Sequence, residues 1–205
     1  MRPYRLGLTG SIGMGKTTTA AFFREEGIPV WSADDAVSRI YEAGGDVIAQ
    51  LRRAFPEAVQ GGRVRRPVLR AVLAERPAAF EVLEGIVHPM VAADRQGFLA
   101  AAASDLAVLD IPLLFETGAE ADCDATLLAT APASLQRRRV LSRPGMTERH
   151  LALILSRQMP DAEKRARATH VVETLSLEST RAYVRALIAH IRAGHGQAAV
   201  PATDA

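Results

Sequence analysis

The chain has a single cysteine, Cys123, so no internal disulfide can form, and a reducing compartment fits. Such a cysteine reads first as a small, half-buried apolar side chain. Aromatic residues make up only 5% of the 205 residues, so no rings interleave with the arginine clusters and base-stacking nucleic-acid recognition is disfavoured. Neither sign of charge prevails: the formal net charge of +2 gives no global field that would draw nucleic acid. Long apolar runs are missing too. The longest, AVLDIPLLF, is interrupted by Asp110, which argues against a membrane span. The opening MRPYRLGLTG is too short and too polar for a secretory leader, so the cytoplasm is the expected location. Lysine is scarce: of 25 basic residues only Lys16 and Lys164 are lysines. Each one therefore marks its position.

What is present begins around Lys16. Tyr4–Thr9 reads as a buried strand, and Lys16–Glu26 as a helix that Gly27 stops. Between them, Gly10-Ser11-Ile12-Gly13-Met14-Gly15-Lys16-Thr17 fits the phosphate-loop spacing G-x-x-x-x-G-K-[ST]. Glycines let main-chain amides turn inward around a phosphate, and the helix start adds its positive dipole end. The lysine reaches the outer phosphates, and the Thr17 hydroxyl can bind Mg²⁺. "IPVW" (28–31) is a short second strand, so strand, glycine loop, helix and strand follow in the order of a parallel α/β sheet.

From 33 to 103 strand signals nearly vanish, and helical patterns recur, punctuated by Pro56, Pro67, Pro77 and Pro89. One of them, "FEVLEGIV", is expected to close at His88-Pro89. Core strands resume with "LAVLDI", "ATLLAT" and "HVVET". An arginine-rich helical stretch, 135–168, precedes the last of these, and a helix over 177–191 covers the sheet. The tail from Gly194 has no apolar period and is expected to fray. The fold expected is α/β: a five-stranded parallel sheet of the phosphate-loop NTPase type, with a helical insertion and a helical lid.

A phosphate loop does not by itself name a reaction. The N-K-x-D guanine motif of switch GTPases and the L-S-G-G-Q run of transporter ATPases are absent. Small kinases remain, with an ATP-binding switch module as the alternative of a different class. Asp34, directly after the second strand, is placed to accept a proton from an acceptor hydroxyl; its competing role is a helix cap, for which Asp35 is the better candidate unless Asp35 is simply a first-turn acid. Asp110 ends a core strand, where an aspartate can serve Mg²⁺ or the acceptor. Arg139 and Arg143 are four apart on the arginine-rich stretch and are expected to share a face as lid contacts to the ATP polyphosphate. Arg137, Arg138, Arg149 and Arg157 read as solvated surface. His88 has no metal partners at ligand spacing.

These pieces, in order, resemble the dephospho-CoA kinase family. "GLTGSIGMGKTT" is similar to its phosphate loop, "GIPVWSAD" to its D-A-D segment and "LEGIVHPMV" to its L-E-x-I-x-H-P segment. "LDIPLLFETG" is similar to its D-I-P-L-L-F-E run, the most specific match. "SLQRRRVLSRPGMTERHLALILSRQMPDAEK" resembles its lid, with Q-x-x-R-x-x-x-R, a later Q and an E-K pair. Ser32, Thr169 and Thr174 stand where the family more often has Asp, Asp and Asn, and Ser11 and Met14 replace the commoner Gly and Ser. The resemblance implies phosphorylation of the ribose 3′-hydroxyl of dephospho-CoA by ATP with Mg²⁺; a monomer is expected, and from composition no nucleic-acid or membrane partner. It implies catalytic roles for Asp34, Lys16 and Arg143, and ATP contacts from Ser11 through Thr18 and from Arg139. Asp34, His88, Asp110 and Leu113 would contact the acceptor, and Thr17 and Asp110 the metal. The implied organisation is a nucleotide-binding core at 1–34, 104–136 and 165–193, a substrate-binding insertion at 35–103, a lid at 137–164 and a flexible tail at 194–205.

Overall fold

The computed structural model describes residues 2–76 and 78–197. Two compact units are present, Met1–Val30 with Ala102–Ala205, and Trp31–Ala101.

The first unit is built on β1 (Tyr4–Thr9), β5 (Leu106–Asp110), β6 (Ala125–Thr130) and β7 (His170–Glu173). With β2 (Val30–Ser32) they form a five-stranded sheet in the order β2-β5-β1-β6-β7. The pairs of β1 with β5 and β6, and of β6 with β7, are parallel. β5 is buried along its whole length, as a continuous apolar run in a sheet covered on both faces should be. α1 (Lys16–Glu25) and α9 (Leu177–Gln197) supply Phe22, Phe23, Val184, Leu187 and Ile188 to a core shared with Leu6, Leu8, Val108 and Leu127. Gly27 follows α1 with φ of +74°, the left-handed stop expected of it. The arginine-rich stretch is three helices, α6 (Ala133–Leu141), α7 (Glu148–Leu155) and α8 (Asp161–Arg167). α9 runs past the predicted end at 191 to Gln197, so Gly194 lies within a helix; the rest of the expected tail, 198–205, lies outside the described residues, as does Pro77.

The second unit holds α2 (Ala33–Ala43), α3 (Asp46–Ala54), α4 (Arg66–Glu75) and α5 (Ala79–Ala101), packed around Ile40, Val47, Leu51, Phe55, Leu69 and Leu73. Two departures from expectation occur here. Pro89 does not end a helix but sits inside the 23-residue α5. The apolar row Leu83, Ile86, Val87, Met90 and Val91 runs across it onto the same core, and that packing outweighs the one backbone hydrogen bond proline removes. A two-stranded hairpin, β3 (Val59–Gln60) and β4 (Arg63–Val64), also interrupts the helices. It turns through Gly61 and Gly62, both at positive φ, as a two-residue primed turn requires. Asp94 on α5 accepts hydrogen bonds from Trp31 Nε1 (2.7 Å) and Arg39 Nη2 (2.6 Å). The Arg39 bond, with help from Trp31, holds the Asp94 carboxyl below its ordinary range against the opposing effect of burial.

Candidate active site

β1 and β5 leave the sheet together. Leu8 lies opposite Asp110, the Ile111 N–H donates to the Leu8 carbonyl (2.9 Å), and the Thr9 hydroxyl donates to the Pro112 carbonyl (3.0 Å). The loop after β1 and the aspartate ending β5 thus share the carboxyl edge of the sheet, where α/β folds bind ligands. Gly13 and Gly15 take φ of +77° and +85°. A Cβ on Gly13 would lie 2.5 Å from Val140 Cγ2, and one on Gly15 would lie 2.7 Å from Thr174 Oγ1, so neither position has room for a side chain. Gly15 caps α1 without a side-chain hydrogen bond, which leaves the first-turn amides to an anion.

Lys16 forms an ion pair with Asp110. Their side chains are 15% and 10% exposed, shielded enough that the attraction exceeds that of a surface pair. Thr17 is exposed beside them and Thr18 is half-buried. Leu113, three residues beyond Asp110, is 40% exposed between buried neighbours Ile111 and Leu114.

The loop is held from behind. Gln136 Nε2 donates to the Ile12 carbonyl (2.8 Å), Arg139 Nη1 approaches the Gly13 carbonyl (3.5 Å), and the Thr174 hydroxyl donates to the Met14 carbonyl (2.9 Å). The Ile12 N–H donates to Gln158 Oε1 (3.2 Å). Met14 is buried, and its Sδ accepts from the Ala131 N–H (3.1 Å). Arg139 also donates to the Thr174 hydroxyl (3.0 Å) and carbonyl (2.5 Å). A second ion pair lies further along. Lys164 on α8 is fully buried and stands 2.8 Å from Glu116, whose carboxylate also accepts from the Met159 N–H (2.8 Å). Burial pushes the Glu116 carboxyl up, but Lys164 and the Met159 N–H outweigh it, and the net effect is a value below the ordinary one.

Sequence reasoning is corrected at several points. Arg139 and Arg143 do not share a helix face. α6 ends at Leu141, Ser142 caps it, and Arg143 lies exposed in the turn before Pro144 and Gly145, a dipeptide that disfavours helix. Neither Asp34 nor Asp35 caps α2, and Asp35 takes the other role open to it, a first-turn acid. Ser32 is the cap, its hydroxyl accepting from the Asp35 N–H (3.2 Å), and Asp34 stands exposed in the first turn. His88 is exposed in the middle of α5 rather than at a helix end. Gln136, Gln158 and Thr174, which hold the loop, were assigned no site role from the sequence. The available signal is the lid motif, in which Gln136 opens Q-x-x-R-x-x-x-R and Gln158 is the later Q.

Sheet order, the glycine loop on the central strand and the Lys16–Asp110 pair define the class: this is a phosphate-loop kinase fold. Within that class the family model for dephospho-CoA kinase matches residues 4–178. The chain belongs to the dephospho-CoA kinase family. It is 62% identical over 192 residues to the dephospho-CoA kinase of Cereibacter sphaeroides, covering 94% of this chain and 98% of that one. It is 50% identical over 192 residues to that of Ruegeria pomeroyi, again with 94% and 98% covered. Among solved structures it is similar to TT1252 from Thermus thermophilus, with a TM-score of 0.84, 39% identity, and 93% of this chain and 98% of that one covered.

Proposed function

We propose that the protein transfers the terminal phosphoryl group of ATP to the ribose 3′-hydroxyl of dephospho-CoA. The observation that carries this reading is the end-to-end relationship to dephospho-CoA kinases, which takes in the phosphate loop and the helical unit alike. Little covalent chemistry is needed from the protein; positioning and charge neutralisation do most of the work.

In this reading the amides of the loop from Ser11 to Thr18 hold the polyphosphate. Lys16 turns from Asp110 to its outer charges. The hydroxyl of Thr17 and the carboxylate of Asp110 are hard oxygen donors of the kind Mg²⁺ takes alongside phosphate oxygens and water. When bound, the ion supplies neutralisation of the phosphate charge. Arg139 forms a wall of the nucleotide site, and Arg143 covers the polyphosphate. Asp34 receives the proton of the acceptor hydroxyl, and His88 and Leu113 touch the acceptor. Residues 35–103 are the acceptor-binding part. An open pocket of about 470 Å³ on that unit, lined by Tyr41, Arg63, Arg65 and Arg66 among others, supports this. The Arg66 guanidinium lies 5.6 Å from the Tyr41 ring centroid, and arginines suit the diphosphate of such an acceptor.

The test is an assay of ADP formation across dephospho-CoA, AMP, a nucleoside and shikimate, with the phosphate position in the product read by mass spectrometry. Turnover with dephospho-CoA, and phosphate at the 3′ position, is the expected result. Turnover with another acceptor and none with dephospho-CoA would overturn the substrate. Stoichiometric ATP binding without turnover on any acceptor would point to a switch module instead.

A further inference from the structure

The groups behind the phosphate loop carry an inference of their own. In a trans peptide the carbonyl of one residue and the N–H of the next point in opposite directions. A side chain that pulls the Ile12 carbonyl one way therefore turns the Gly13 amide the other way. The same holds for the Met14 carbonyl and the Gly15 amide. Gln136 and the Thr174 hydroxyl do this from the side of α6 and β7. The donor and acceptor roles are not interchangeable: a carbonyl takes only the NH₂ end of Gln136, and the Ile12 N–H takes only the oxygen end of Gln158.

Gln136 and Gln158 also flank the whole arginine-bearing segment that contains Arg137, Arg139, Arg143 and Arg157, and both end on Ile12. Neither foot is loose. Gln136 is buried on α6. Gln158 is fixed through its neighbour Met159, whose N–H is taken by Glu116, the partner of buried Lys164.

We propose that Gln136, Gln158 and Thr174 are positioning residues that preset the amides of the phosphate loop before nucleotide arrives and seat both ends of the arginine-bearing segment on one residue, Ile12. No group in this set touches the reacting atoms. Each acts through the loop's main chain. The inference rests on the nucleotide-site reading given above.

The experiment uses the full chain without acceptor, so that binding is read apart from turnover. Thr174→Val keeps shape and removes the hydroxyl, and Thr174→Ser restores the hydroxyl. Gln136→Met and Gln158→Met remove one hydrogen bond each. ATP affinity is measured by calorimetry, thermal midpoint by differential scanning and Ile12 amide exchange by NMR. Thr174→Val and Gln136→Met are expected to weaken ATP about tenfold, the scale of a lost hydrogen bond that leaves its buried partner unmet. Thr174→Ser is expected to stay within about threefold of the parent. Gln158→Met is expected to speed Ile12 exchange about tenfold, and Gln158→Glu, which keeps an acceptor, to leave it slow. The proposal is overturned by Thr174→Val and Gln136→Met proteins that bind ATP as the parent does, even if they melt earlier, since that is packing alone. It is equally overturned by unchanged Ile12 exchange in Gln158→Met. A parent protein that binds no ATP would end the kinase reading itself, while the Ile12 exchange still judges the clamp.

Discussion

Replacing Lys164 by Met tests the energetics of the second ion pair. The ammonium is fully buried, and its partner Glu116 keeps 16% side-chain exposure and the Met159 N–H. Breaking a buried pair from one side costs about 3–5 kcal/mol, because the other charge is left uncompensated. Glu116 retains a donor and some water, so Lys164→Met belongs near the lower end, at about 3 kcal/mol. Glu116→Gln leaves the buried ammonium without its carboxylate and belongs near the upper end, at about 5 kcal/mol. For a chain of this size each kcal/mol moves the melting midpoint by about 2–4 °C, so Lys164→Met should melt about 6–12 °C below the parent. Lys164→Met/Glu116→Gln removes both charges and should recover at least about 2 kcal/mol of the summed single losses. Acid gives a second reading. The Glu116 carboxyl is held below its ordinary value, so its stabilisation is present above the unfolded value near about 4.3 and is lost as pH falls through the folded value. The parent should therefore lose stability in that acid window, and Lys164→Met should lose less. Thermal melts from pH 7 to pH 3 measure both effects. Single losses under about 1 kcal/mol that simply add in the double variant would refute the account.

Four further outcomes follow from the geometry. Asp34→Asn should lower turnover by about 10²–10⁴ with ATP affinity retained, measured by steady-state kinetics beside calorimetry; equal losses in both would move Asp34 from proton acceptor to metal contact. Arg143→Ala should slow turnover while the melting midpoint stays within about 1 °C, as an exposed turn residue allows; an unchanged rate returns it to the surface. Gly13→Ala combines a left-handed φ with a Cβ 2.5 Å from Val140 Cγ2, and should destabilise by about 2–4 kcal/mol in urea unfolding, with part recovered by Val140→Ala. Burial, aided by the His190 ring 6.1 Å away, holds the His170 imidazole below its ordinary value. The stability it contributes is present above about pH 6.5 and lost as pH falls through the lower folded value, so the midpoint should drop on acidification, and drop less in His170→Gln.

The core was legible because its signals are local and continuous. β1 and β6 have the bounds that their apolar runs suggested, and Gly15, Lys16 and Gly27 stand at the helix ends their chemistry predicts. What was not legible depends on partners distant in sequence. Pro89 reads as a stop until the apolar row on both sides of it meets a common core. The β3–β4 hairpin has two residues per strand, too few for alternation to register. Arg139 and Arg143 fit one helix face by spacing alone, and only the cap at Ser142 separates them. Ser32 looked like a lost aspartate, yet its hydroxyl does the capping. The support behind the phosphate loop comes from Gln136, Gln158 and Thr174, up to 160 residues from the groups they hold. The lid motif marks the two glutamines, but no local pattern names the groups they hold.

Both lysines of the chain pair with the acids that bracket one short segment, Lys16 with Asp110 and Lys164 with Glu116. Lys164 is sealed inside the protein, and Lys16 retains a sliver of exposure at the phosphate loop. Apart from the amino terminus, an amine-directed reagent therefore finds a single reachable amine, Lys16 at the start of α1. Amine tagging followed at Lys16 should then report on the phosphate loop, and a nucleotide seated there, as proposed above, should slow it.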